Sequence, residues 1–135
     1  MSEPTSVLDA SALLAYLQDE RGADVVQEAL VQGAAISTVN WAEVLYKLAQ
    51  HGQDPDTVVE HLSALGLLHN AIQFYPLDAA HALIIAKLVL PTRSIGLSLG
   101  DRACLALAWS LGLPAFTADR DWMSLSLDIP VTLIR

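Results

Sequence analysis

The chain reads as an α/β protein: a three-layer α/β/α sandwich around a central, mainly parallel five-stranded sheet. Two observations predict this. Short, continuously apolar runs recur along the sequence, as strands buried on both faces require. Segments with helical spacing separate them, which is the alternation of a parallel sheet with crossover helices. In such sheets functional groups gather outside the carboxyl ends of the strands.

The elements follow in order. "SVLD" is a short buried strand, and "ASALLAYLQ" begins a helix that breaks near "DERG". Residues 22–32, "GADVVQEALVQ", place Val25, Val26, Ala29 and Leu30 on one helical face. "AAIS" is a second strand. In "TVNWAEVLYKLAQHG", Trp41, Val44, Leu45 and Leu48 share a face and Gly52 is a stop. "DPDTVVEHLSALGL" opens a helix with acids and a proline in its first turn, and Val58, Leu62 and Leu65 form its buried side. "AIQFYPL" is a third strand. Residues 78–90 are apolar nearly all round, which predicts a largely buried helix, and "PTRSIGLSLG" is a loop. "DRACLALAWSLGL" is a mostly buried helix in which Trp109 reads as core, as Trp41 does in its own helix. "PAFTAD" holds a fourth strand, "RDWMSL" a helical turn whose Trp122 has no assigned face, and "PVTLI" a fifth strand.

The 135 residues suit a single domain spanning 1–135, with no repeat, linker or low-complexity segment. Apolar residues make up 53% and charged residues 16%, ample for a core and too apolar for disorder. The net charge of −8 excludes a whole-surface electrostatic grip on nucleic acid. Nucleic-acid chemistry would need local arginines or bound cations, and an acidic surface also suits a basic protein partner. Cys104 is the one cysteine, so no internal disulfide forms, and its apolar surroundings make it a small core residue in a reducing compartment. "MSEPTS" lacks the features of a signal peptide, and "ALIIAKLVL" is too short to span a membrane. A cytoplasmic protein without membrane association is expected.

Acids stand at the ends of several elements. Asp9 follows the first strand and Asp119 the fourth. Glu43 lies in the first turn of the helix after the second strand, and Asp101 begins the helix after the "SIGLSLG" loop. Each has a plain role open to it. Asp9 suits an N-cap, Asn40 with Glu43 and Ser98 with Asp101 resemble capping boxes, and Asp119 suits an Asx-turn. Jointly they suggest more. Converging carboxylates repel and are expensive to desolvate, and a hard divalent cation such as Mg²⁺ or Mn²⁺ offsets both costs. His51, His61, His69 and His81 show no compact ligand spacing, and without a Cys/His cluster structural zinc is not expected.

"VLDASALLAYL", "ISTVNWAEVLYKL", "LSLGDRACLALA" and "FTADRDW" resemble the four signature segments of PIN domains, most of all the VapC-type toxins of bacterial toxin–antitoxin pairs. The resemblance spans nearly the whole chain with the segments in order. It implies a Mg²⁺- or Mn²⁺-dependent endoribonuclease, a cognate antitoxin and a homodimer. Asp9, Glu43, Asp101 and Asp119 take the positions of its catalytic, metal-binding acids. Ser11 and Thr117 stand where the family often has a hydroxyl, suited to hold a metal water or orient a carboxylate. Asp121 matches no family position and is either an outer partner of the site or solvated. Arg102 and Arg120 lie beside the acids and are candidates for RNA phosphate contacts. Water is the nucleophile and the 3′-hydroxyl the leaving group in the mechanism so implied.

Two other classes compete. "LDAS" after a strand resembles phosphatases of the haloacid dehalogenase type, but these need a second Asp where this chain has Ser11. A PIN fold can also serve as a non-catalytic interaction module, for which loss of the acids would be expected; all of them are present.

Overall fold

A computed structural model describes residues 3–135. Its strands are β1 (Ser6–Leu8), β2 (Ala34–Ser37), β3 (Ile72–Tyr75), β4 (Ala115–Thr117) and β5 (Val131–Leu133). Its helices are α1 (Ala10–Leu17), α2 (Ala23–Gln32), α3 (Thr38–Gln50), α4 (Pro55–Ala64), α5 (Ala79–Thr92) and α6 (Leu99–Leu111), with a 3₁₀ turn at Arg120–Ser124. The strands form one sheet in the order β3-β2-β1-β4-β5, and every pairing is parallel.

Alternation along the strands sorts the core into two layers. Leu8, Ala34 and Ile36 pack with Leu13, Val26, Leu30, Val44 and Leu48 on the side of α1, α2 and α3. Val7 and Ala35 face the other way, toward Leu88, Leu105, Leu107 and Trp122. The three-layer sandwich and the strand positions expected from the sequence are therefore present. Trp122 is buried, and Trp41 stacks at a tilt on Phe74 with ring centroids 5.3 Å apart.

Four expectations need correction. Trp109 is not core: it is 56% exposed, where α6 emerges from between the layers. Leu65 caps the C-terminus of α4 beyond the helix's buried stripe and is exposed. The helix after β3 is not largely buried. His81, Ile85, Leu88 and Thr92 face inward, whereas Leu83, Val89 and Leu90 are exposed. An apolar composition all round predicts burial only when partners flank every face, and α5 packs mainly on α6. That helix also runs past its expected end at residue 90, with Pro91 in its last turn. The proline removes one donor from the ladder one residue before the helix ends, and the Thr92 hydroxyl donates to the Leu88 carbonyl.

The order of the strands creates the site. From β1 the chain steps outward to β2 and β3, then returns to lay β4 on the other side of β1. The carboxyl ends of β1 and β4 thus flank the point where the winding reverses, the usual ligand position of open α/β sheets.

Candidate active site

Asp9 leaves β1 at this reversal and is buried. It caps α1, with Oδ1 accepting from the Ala12 N–H at 2.8 Å and from the Ser11 hydroxyl at 2.7 Å. Its Oδ2 accepts from the Thr117 hydroxyl at the end of β4. The same hydroxyls join the two strand ends. The Ala118 N–H donates to Ser11 Oγ and the Asp119 N–H to Thr117 Oγ1, each at 3.0 Å. Burial pushes the Asp9 carboxyl up from 3.8 to about 6, against the bonds from Thr117, Ala12 and Ser11, while the charge of Asp101 adds to the rise.

Asp101 enters through the first turn of α6. Ser98 and Asp101 form the capping box expected from the sequence: the Ser98 N–H donates to Asp101 Oδ2 at 2.9 Å and the Asp101 N–H to Ser98 Oγ at 3.1 Å. Asp119 makes its Asx-turn, accepting the Asp121 N–H on Oδ1 at 2.9 Å. Among the described residues, the other carboxyl oxygen of Asp101 and of Asp119 makes no hydrogen bond. Glu43 comes from α3. Asn40 with Glu43 is not a capping box, because Ser37 caps α3 and Asn40 already lies inside the helix. Instead, Asn40 Nδ2 donates to Glu43 Oε1 and to the Gly100 carbonyl, both at 2.9 Å. This contact carries Glu43 across to the start of α6, beside Asp101.

Cys104, one turn into α6, senses the gathering. Burial first, then the charges of Asp9, Asp101 and Glu43, push its thiol well above the ordinary range. It stays protonated and offers no thiolate. Asp119 is exposed and turned to its own backbone. Among the described residues, no group of three or more acidic, histidine or cysteine side chains is close enough to enclose an ion as placed. The donor set nevertheless fits a hard cation. Among the described residues it is all carboxylate oxygen, three of the four acids keep an oxygen free of hydrogen bonds, and the buried Asp9 accepts from neutral donors with the charge of Asp101 nearby. His81 lies elsewhere, with Nε2 on Ser110 Oγ.

Of the remaining candidates, Arg102 is engaged in the fold: Nε donates to Thr92 Oγ1 at 3.1 Å and Nη1 to the Leu97 carbonyl at 2.8 Å. Arg120 and Asp121 are exposed beside Asp119. Sequence reading missed the reach of Asn40 to Gly100. The Asn-x-x-Glu spacing was its signal, but one turn too early it reads as a cap.

The fold is an all-parallel α/β sandwich with the buried Asp9 at the reversal of its strand order. The chain belongs to the PIN domain family, whose model matches residues 6–126. No curated protein matched it. Among solved structures it is similar to a toxin–antitoxin complex from Klebsiella pneumoniae, at 21% identity and TM-score 0.72, covering 96% of this chain and 98% of that one. VapBC-5 from Mycobacterium tuberculosis, a member of the VapBC toxin–antitoxin systems, is 26% identical with TM-score 0.61, covering 98% and 99%. VapC20 from the same organism, a sarcin-ricin loop cleaving toxin, is 12% identical with TM-score 0.68, covering 88% and 93%. Among the described residues no helix is long and apolar enough to cross a membrane.

Proposed function

We propose that this protein is a Mg²⁺- or Mn²⁺-dependent endoribonuclease acting as the toxin of a toxin–antitoxin pair. The observation that carries the reading is the Asp9 carboxylate, buried where the strand order reverses, held from both strand ends, with Asp101 near enough to raise its pKa. Membership of the PIN family and likeness to toxins of this type support it.

Asp9, Asp101, Asp119 and Glu43 would hold the cation, with Asp9 as the fixed member. When bound, the cation supplies charge relief at the phosphate and activation of the attacking water. Ser11 and Thr117 orient Asp9 by filling an acceptor direction on each of its oxygens, so that its remaining lone pairs have a set direction. Arg120, exposed beside Asp119, serves a phosphate oxygen of the RNA. Arg102 is committed to Thr92 and Leu97 and acts on the site through the α6 terminus it anchors.

The antitoxin partner is supported by a groove of about 600 Å³ lined by Leu17, Leu48, Val58 and Leu62 together with Asp19, Asp54 and His61, which suits a segment of another chain that pairs apolar side chains with polar ones. The exposed Leu83, Val89 and Leu90 of α5 favour a homodimer. The test is direct. Purified chain free of partner should cut RNA internally with Mg²⁺ or Mn²⁺, stop with EDTA, and lose cleavage in Asp9→Asn with the fold retained. Equal cleavage by Asp9→Asn would overturn the assignment.

A further inference from the structure

We infer that Asn40 and Gly100 form a clamp that positions the Glu43 carboxylate against the first turn of α6. The inference rests on the metal-site reading above and adds two residues to it.

Both residues are shaped by one neighbour, Glu43. Asn40 is a polar side chain 1% exposed in the first turns of α3. Its Nδ2 is used twice, on Glu43 Oε1 and on the Gly100 carbonyl, but its Oδ1 has no partner among the described residues. Turning the amide over would set its oxygen against two other oxygens, so the network fixes the orientation and leaves Oδ1 unpaired. A buried acceptor left unpaired is a standing cost to stability.

Gly100 is the second. It is the second residue of α6, in the helix's first turn. Its backbone has no positive φ to justify it. What justifies it is space: a Cβ there would overlap Glu43 Oε1, Cδ and Oε2, the last at 2.8 Å. The glycine leaves a notch and the carboxylate of Glu43 occupies it. With Oε1 held by Asn40 and the carboxylate seated in the notch, Oε2 makes no hydrogen bond among the described residues and is left for the cation. Asn40 and Gly100 are positioning residues, acting only through Glu43.

Gly100→Ala should fold, because the group in its way is the end of a flexible side chain and alanine favours the helix. It should nevertheless weaken Mn²⁺ binding, read by calorimetry, by about 10- to 100-fold, as loss of an outer partner of a ligand does. Asn40→Ala should weaken it comparably. The decisive readout is a cycle with Glu43→Gln: on that background neither substitution should weaken Mn²⁺ further, because the residue they position no longer acts as a ligand. Unchanged Mn²⁺ affinity in folded Gly100→Ala, or losses that add to that of Glu43→Gln, would overturn the clamp. Wild-type protein that takes up no Mn²⁺ would overturn the metal reading instead. The clamp is then decided in EDTA, where the melting-temperature changes of Asn40→Ala and Glu43→Gln should be non-additive; additive changes reject it.

Discussion

Asp9→Asn should stabilise the protein when no divalent ion is present. The folded-state carboxyl of Asp9 titrates at about 6 rather than 3.8, chiefly because burial strips its hydration. Between those two values the folded protein holds a proton that the unfolded chain has released, so stability falls as pH rises through the window. The contribution is present in full below 3.8 and gone above about 6. A shift of roughly 2 units at 1.36 kcal/mol each makes the ionised carboxylate about 3 kcal/mol costlier than its protonated form at neutral pH. Asparagine mimics the protonated form. Its Oδ1 still accepts from Ala12 and Ser11, and its Nδ2 can donate to Thr117 Oγ1. With an unfolding entropy of about 2.1 cal/mol/K per residue, the gain corresponds to about 10 °C in melting temperature. The assay is thermal unfolding by circular dichroism in EDTA at pH 7.5 and pH 3.5. The variant should melt well above wild type at the higher pH and close to it at the lower. A variant that melts below wild type by the same margin at both pH values would refute the reasoning, because the charge of Asp9 would then cost nothing.

Other outcomes follow from the same geometry. Saturating Mn²⁺ at 100 times its dissociation constant should stabilise wild type by about 2.7 kcal/mol through linkage, and leave the melting temperature of Asp9→Asn unmoved. Thr117→Val removes the hydroxyl that bonds Asp9 and accepts from Asp119, so RNA cleavage should fall about 10- to 100-fold in a single-turnover assay while the fold persists. Ser98→Ala breaks the α6 capping box and should cost about 1 kcal/mol in urea unfolding. Trp109→Gln, at an exposed position, should change stability by less than about 0.5 kcal/mol; a loss several times larger would restore Trp109 to the core.

The sheet was legible in the sequence because its central strands β1 and β2 are buried on both faces and read as unbroken apolar runs, Val7–Leu8 and Ala34–Ile36. The caps were legible because they are local: Asp9 with Ala12, Ser98 with Asp101, and Asp119 with Asp121 each span no more than three residues. What sequence could not supply was partnership at a distance. The exposed stripe of α5 looks the same as its buried stripe in one dimension, and only the packing on α6 separates Leu88 from Leu90. Asn40 reaches Gly100 across 60 residues, so its spacing to Glu43 was visible and its purpose was not. Arg102 looked free beside an acid until Thr92 and Leu97 were folded against it.

Under the proposed function, capping and metal binding would not be competing uses of these acids. Asp9, Asp101 and Asp119 each accept a backbone N–H at the entry to a helical segment, and that bond fixes the rotamer of a side chain that would otherwise be free. A carboxylate with a fixed rotamer loses less entropy on meeting a cation than one that must be ordered at that moment. The helix entries also present N–H dipoles that tolerate negative charge, which moderates repulsion between the acids. Glu43 is the exception: it lies inside α3, where no cap can hold it. Its carboxylate is fixed from the side, by an amide in its own helix and a notch in α6. The same requirement, a carboxylate ordered in advance, is met by caps where the chain enters a helix and by a side-chain clamp where it does not.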